Sequence, residues 1–221
     1  MKKLMIVLGV TMLAGFTSFA QNNRVGSNLS LGPIAGFGHS WVSDMQGMEF
    51  KPSAHLGIGL IYSNHANWGW GADLTASHEG FTQEYMQNGQ EYNFTVDPTY
   101  LRLTPKAYYF FGAAGSSVRP KIFLGPSVGV LLIEDHYMKN ETMGQRDVTY
   151  GNGAGQMFKR ADFGGEAGAG VNVRIGDATW LNLDGSYYRG LMDATQGDNV
   201  NEAVDVKNRN MRLNVGVLMG L

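Results

Sequence analysis

Residues 68–80 read WGWGADLTASHEG. Trp68, Trp70, Ala72 and Leu74 alternate with Gly69, Gly71, Asp73 and Thr75, the period-two pattern of a strand with one apolar and one polar face. Glycine weakens a strand, so its pairing with tryptophan needs a reason. The reason lies in the rest of the chain, which repeats the pattern.

The same alternation occurs near 28–39, 54–63, 67–79, 99–110, 119–132, 162–175, 178–188 and 209–221. These lengths suit tilted strands that cross a bilayer. Short turns at 63–67, 112–117 and 176–177 alternate with long polar connections near 40–53, 80–98, 133–161 and 189–208. Short turns on one rim and long loops on the other mark a transmembrane up-and-down barrel. The expected fold is therefore all-β: an eight-stranded antiparallel up-and-down transmembrane β-barrel.

Parity then sorts the residues. One face carries Leu29, Leu31 and Phe37 on the first segment, and Leu213, Val215 and Val217 on the last. The other carries Gly32, Gly36, Gly57, Gly59, Gly69, Gly71, Gly125, Gly129, Gly164, Gly168 and Gly216, with Gly165 and Gly185 as exceptions. A soluble lipocalin-like ligand binder would turn the apolar face inward and cover its outside with Lys, Glu and Thr. A polar face rich in glycine instead suits the crowded interior of a small barrel. Tryptophan then faces lipid and glycine faces the lumen. Two aromatic belts are expected at the interfaces: Tyr62, Trp68, Trp70, Tyr109 and Trp180 on the inner side, and Trp41, Tyr100 and Tyr187 on the outer. Asp73, Glu79, Arg102, Lys106, Lys121, Asp162, Glu166, Arg174, Asp184 and Arg212 should form a lumenal charge network. Five residues of each sign, drawn out of water together, call for mutual pairing.

The N-terminus, MKKLMIVLGVTMLAGFTSFA, has Lys2 and Lys3, an apolar run too short for a bilayer, and small residues before Gln21. That is the pattern of a cleaved signal peptide over 1–20, leaving 21–221 as one barrel domain. The formal charge is −2, and removing the two lysines makes it more acidic, which argues against nucleic acid. The chain has no Cys, so neither a disulfide framework nor a lipoprotein anchor is available. Glycine makes up 31 of 221 residues, about twice the usual ~7%. Pro33, Pro105 and Pro126 fall inside expected strands, and each removes a ladder donor. Local bulges or register breaks are expected there.

Several stretches resemble a known family: YLRLTPKAYYFFG (100–112), KIFLGPSVGVLL (121–132), DFGGEAGAGVNVRI (162–175), LDGSYYRGL (183–191) and RNMRLNVGVLMGL (209–221). Together with Gln21 they are similar to the PorT-like outer-membrane β-barrel proteins of Bacteroidetes-type Gram-negative bacteria. The resemblance implies a proline in the fourth strand, a Gly-Pro in the fifth and an Asp-x-Gly sixth. Pro105, Gly125–Pro126 and Asp162–Gly164 match. Thr104 displaces the first proline by one residue, and Leu221 stands where such barrels commonly end in Phe. The family name derives from type IX secretion, a role these motifs do not carry.

Other chemistry is thinly represented. His39, His55, His65, His78 and His136 have no repeated ligand spacing, so no metal or cofactor is expected. Asp135–His136 near the outer rim lacks an identifiable nucleophile. GNGAG (151–155) lacks the Lys-Ser/Thr of a phosphate loop. The expectation is a monomeric, non-enzymatic protein of the cell outer membrane. Its contacts are lipid and, through the long loops, an envelope or extracellular protein, as in supporting secretion. A rim enzyme near His136, a small-solute channel and the soluble binder stay open as alternatives.

Overall fold

The computed structural model describes residues 28–43, 48–49, 51–63, 67–87, 89–140, 145–150, 157–195 and 206–221. The expected leader, His65 and the 151–155 tip lie outside them. In chain order the described strands are β1 (Leu29–Val42), β2 (Met48–Glu49), β3 (Lys51–Ser63), β4 (Trp68–His78), β5 (Phe81–Gln87) and β6 (Gln90–Phe110). They continue as β7 (Val118–Asn140), β8 (Gln145–Tyr150), β9 (Ala161–Arg174), β10 (Thr179–Gly190) and β11 (Asn208–Gly220).

Eight of these close a ring. β1 pairs antiparallel with β3, β3 with β4, β4 with β6, and β6 with β7. β7 pairs with β9, β9 with β10, β10 with β11, and β11 returns to β1. Each stave matches one of the alternating segments. The ring leaves no open edge, which is what a spanning sheet requires in lipid.

The distribution of side chains is inverted relative to a soluble domain. Trp70, Phe37, Leu124 and Leu213 are 58–67% exposed, whereas Arg102 and Lys121 are at most 1% exposed. Apolar residues outside and charges inside exclude the soluble lipocalin-like arrangement. By the loop-length rule, the rim with the short turns and the chain ends is the inner one.

The long connections are only partly loops. The stretches 80–98 and 133–161 hold β5, the upper half of β6, the upper third of β7 and β8. There β5 pairs with β6, β6 continues along β7, and β8 pairs with β7. In QEYNFTV the apolar residues Phe94 and Val96 share the inward parity of Tyr100 and Arg102 and join an apolar cluster with Phe81, while Glu91, Asn93 and Thr95 take the outward face. The segment stands above the apolar band with the contrast of the staves reversed, so the lipid-facing pattern did not reveal it. Gly80 and Gly89 turn the chain there with φ of 136° and 73°, values that favour glycine.

The prolines do not break the register. Pro33 opposes Ile58, Pro105 opposes Ala72 and Pro126 opposes Gly165 within unshifted ladders. On their other flanks, pairing lapses beside Pro33 and Pro105 and resumes in the same register. The β6–β7 ladder shifts instead between Thr99 and Tyr100. Leu132 and Ile133 are both exposed at that level, and the shift exchanges the faces of β7. Below it odd-numbered residues of β7 point inward, and above it Glu134 and His136 do.

Candidate functional site

The lumen is filled in layers, and glycine explains how. A Cβ on Gly69 would lie 2.8 Å from the Phe110 ring, and one on Gly71 would lie 2.8 Å from Tyr108. Gly168 would meet Phe123, and Gly164 would lie 2.6 Å from the Tyr188 ring. The WGWG strand therefore places two tryptophans in lipid and leaves two seats for aromatic rings inside.

Nearest the inner rim, Ile34, Ile61, Tyr108, Phe110, Phe123 and Leu218 form a buried apolar plug. Tyr108 stacks on Phe110 at 5.8 Å and tilts against Phe123 at 5.7 Å. Arg119 lies 4.5 Å over Phe110. Above this plug comes a band of charge. Lys121 pairs with Asp184 at 3.0 Å, and Lys106 bridges Asp73 at 2.6 Å and Glu166 at 3.0 Å. Arg212 also pairs with Glu166, and His55 with Asn214. A gap of about 10 Å³ bounded by Asp73, Asn182, Asp184 and Asn214 remains, about the space of one water.

Higher still, Arg102 is wholly buried. Its Nε and Nη2 donate to the two oxygens of Glu79, each at 2.7 Å, and Nη2 also donates to Asp162 at 2.7 Å. Tyr188 Oη and Asn208 Nδ2 donate to the same Asp162 oxygen at 2.8 and 3.0 Å. The guanidinium is held between the rings of Tyr100 and Tyr188, at 4.8 and 4.3 Å. Over this layer, Val42, Phe81, Val96, Phe158, Ala194 and Val206 make a second apolar cluster.

All but one of the ten expected lumenal charges meet in these pairs. Arg174 does not. It sits exposed at the inner rim and lies 4.8 Å over Trp180. Trp180 itself is a correction: its parity on β10 points inward, and it packs against the lower plug rather than in the lipid belt. Tyr100 is a second correction. It shares the inward parity of Arg102 and is fully buried. Trp41, Tyr62, Trp68, Trp70, Tyr109 and Tyr187 keep the outward parity expected of them. Trp68 meets Tyr109 edge-on at 5.2 Å, and Trp41 meets Tyr187 at 6.1 Å.

The rim histidine also differs from expectation. Asp135 and His136 point to opposite faces, and His136 Nε2 instead meets Glu134 Oε1 at 2.5 Å. Glu134 also accepts the backbone N–H of Met157 at 2.7 Å and of Phe158 at 3.2 Å. Among the described residues its contacts are those of a clasp holding the 157–158 segment. Glu134, Tyr108, Phe123 and Tyr188 were not singled out from sequence, although strand parity alone marks the last three as inward.

Solved structures share this architecture. OprG of Pseudomonas aeruginosa is 12% identical, with 89% of this chain and 97% of that chain covered at a TM-score of 0.51. Neisserial surface protein A (NspA) is 14% identical over 88% and 98%, at 0.46, and the outer membrane enzyme PagL 13% over 83% and 97%, at 0.41. At 12% identity the likeness to OprG speaks for the fold alone. Among curated proteins, none matches the chain. The family described as "Outer membrane protein beta-barrel domain" matches residues 19–196, and this chain belongs to that family.

Proposed function

We propose that this outer-membrane barrel is non-enzymatic and closed to solutes, and that it acts through its extension above the bilayer. The observation that carries this reading is the stacked filling of the lumen: an aromatic plug, a paired charge band and an apolar cap. A channel would need a continuous wet path. The gap bounded by Asp73, Asn182, Asp184 and Asn214 within the charge band holds about one water. Among the described residues, the surface offered to a partner is the sheet of β5, upper β6, upper β7 and β8. Exposed Met86 and Met138 lie on it.

The finer assignments belong to this proposal too. Residues 1–20 act as a cleaved export signal ahead of a barrel domain at 21–221, and the protein works as a monomer. An envelope process such as secretion is one setting in which such a surface would act.

Two measurements test the reading. Purified barrel in planar bilayers should show no conductance steps, and steady unitary steps would overturn the closed lumen. A photo-crosslinking residue at Met86 or Met138 in intact cells should trap an envelope or extracellular protein. If neither position crosslinks and a barrel trimmed of 82–95 and 137–149 supports wild-type envelope integrity, the presenting role fails.

A further inference from the structure

The lipid-facing wall is not uniform. Across β10, β11 and β1 the outer face carries a groove of about 590 Å³. Its walls are Leu183, Leu213, Val215, Ala35 and Phe37, and its floor is Gly185. Gly185 is one of two outward glycines in the staves, and its nearest neighbour in space is Leu213 Cδ2, 3.8 Å from where a Cβ would stand. Leucine or valine there would fill the groove, as such residues do elsewhere on the band.

The register shows what lies above it. Gly185 opposes Leu213, which opposes Phe37; one step up, Tyr187 opposes Met211. The next step pairs Arg189 with Arg209, and Arg209 with Trp41. Two arginines on adjacent strands thus oppose each other in register, with outward parity, at the outer end of an apolar groove. The rings of Trp41 and Tyr187 approach to 6.1 Å across β11. Beside them Arg209 Nε is screened from solvent and has no hydrogen-bond partner among the described residues. Like charges placed together are costly unless an anion joins them.

We infer that this face binds a phosphate-bearing acyl lipid of the outer leaflet, with a chain in the groove over Gly185 and the phosphate between Arg189 and Arg209. The apolar walls take the chain by dispersion and shape. The paired guanidiniums take the phosphate through charge-assisted, forked hydrogen bonds. Neither element alone specifies a lipid. Together they require one molecule with a long apolar tail and an anionic head, joined over the four residue steps from Gly185 to Arg189 along the strand. The site lies on the barrel wall and does not depend on the closed lumen or on a protein partner.

The test uses the whole barrel, reconstituted from equimolar phosphatidylglycerol and phosphatidylcholine, extracted into mild detergent and weighed intact by native mass spectrometry. Retained lipid should be enriched in phosphatidylglycerol by at least about fivefold, the ratio one basic residue near a membrane surface supports. Arg189→Gln with Arg209→Gln should abolish the enrichment, while Arg174→Gln at the opposite rim should leave it unchanged. Gly185→Leu should lower retention of both lipids. Unboiled gel migration reports whether each variant remains a folded barrel, and Gly185→Leu has open space to occupy. Equal retention of the two lipids by the parent, or enrichment that survives the double substitution, overturns the inference. A dimer with this face buried would overturn it in favour of a second copy.

Discussion

Arg102→Met gives the sharpest test of how the lumen is held. The substitution keeps length and removes charge at a wholly buried position. Arg102 makes two hydrogen bonds to Glu79 and one to Asp162, but the two carboxylates are not left equally exposed by its loss. Asp162 keeps donors from Tyr188 and Asn208. Among the described residues, Glu79 keeps the hydrogen bond from Ser77 Oγ at 2.7 Å. The expected cost is therefore that of one broken buried pair, about 3–5 kcal/mol, rather than twice that amount. Removing the stranded charge as well, in Arg102→Met with Glu79→Gln, should recover about half or more, since replacing both partners is often close to neutral. The assay is urea unfolding of the vesicle-reconstituted barrel, followed by tryptophan fluorescence and by unboiled gel migration. A cost below about 1 kcal/mol for the single variant would refute the reasoning. So would a double variant no more stable than the single one.

Other consequences follow from the same geometry. Gly71→Leu should destabilise by about 1–3 kcal/mol or more, because Tyr108 and the Leu60 carbonyl occupy its space; Gly165→Ala, with nothing near it, should be nearly silent in the same unfolding assay. On the lipid face, Leu103→Arg in mid-stave should cost about 2–4 kcal/mol and Val118→Arg at the inner rim about 0–1; equal costs would mean the band is misplaced. At the outer rim, burial tends to raise the Asp193 carboxyl, but hydrogen bonds from Lys159 and Thr195 outweigh it and hold it below its ordinary value. The folded pKa lies below the unfolded one, so this clasp stabilises above the ordinary carboxylate range and is lost as pH falls through the depressed value. The pair is partly exposed and screened, and worth less than about 1 kcal/mol. The protection factor of the Lys159 amide, whose N–H bonds the Ala194 carbonyl, should therefore fall on acidification in the parent and stay flat in Asp193→Asn, once the intrinsic slowing of exchange at lower pH is divided out.

The staves were legible because lipid and a narrow lumen impose opposite demands on successive residues. Period-two alternation with glycine on one face records both demands at once. Where that contrast fades, so does the signal. The extension stands above the bilayer, where successive residues no longer divide between lipid and a packed lumen, and its sequence has the polar character of a loop. Tyr100 and Trp180 depart from expectation for another reason. Aromatic character alone points to a lipid interface, whereas the parity of Leu101 and Leu181 beside them sends both rings inward. The charged lumen residues were found by parity and chemistry together, while their partners among Ser, Asn and Tyr were not. Those residues carry no sequence signal of burial, and a hydroxyl or amide enters a lumen or a surface loop with equal ease.

The shift at Thr99–Tyr100 decides what stands on the outer rim. Without it β7 would continue with odd residues inward, so Ile133 and Asp135 would enter the extension and Glu134 would face out. Ile133 would suit such an interior, but the 157–158 amides would lose the carboxylate that now holds them. A single extra residue in β7 thus exchanges a lipid-facing barrel wall for a polar, clasped extension within one step of chain. It falls where Leu132 and Ile133, both exposed, end the apolar band. Deleting Ile133 tests this directly: the barrel below should still form and resist detergent, and the extension above should lose amide protection from 134 to 140 and at 158. Retained protection there would mean that β6, rather than the bulge, dictates how the extension faces.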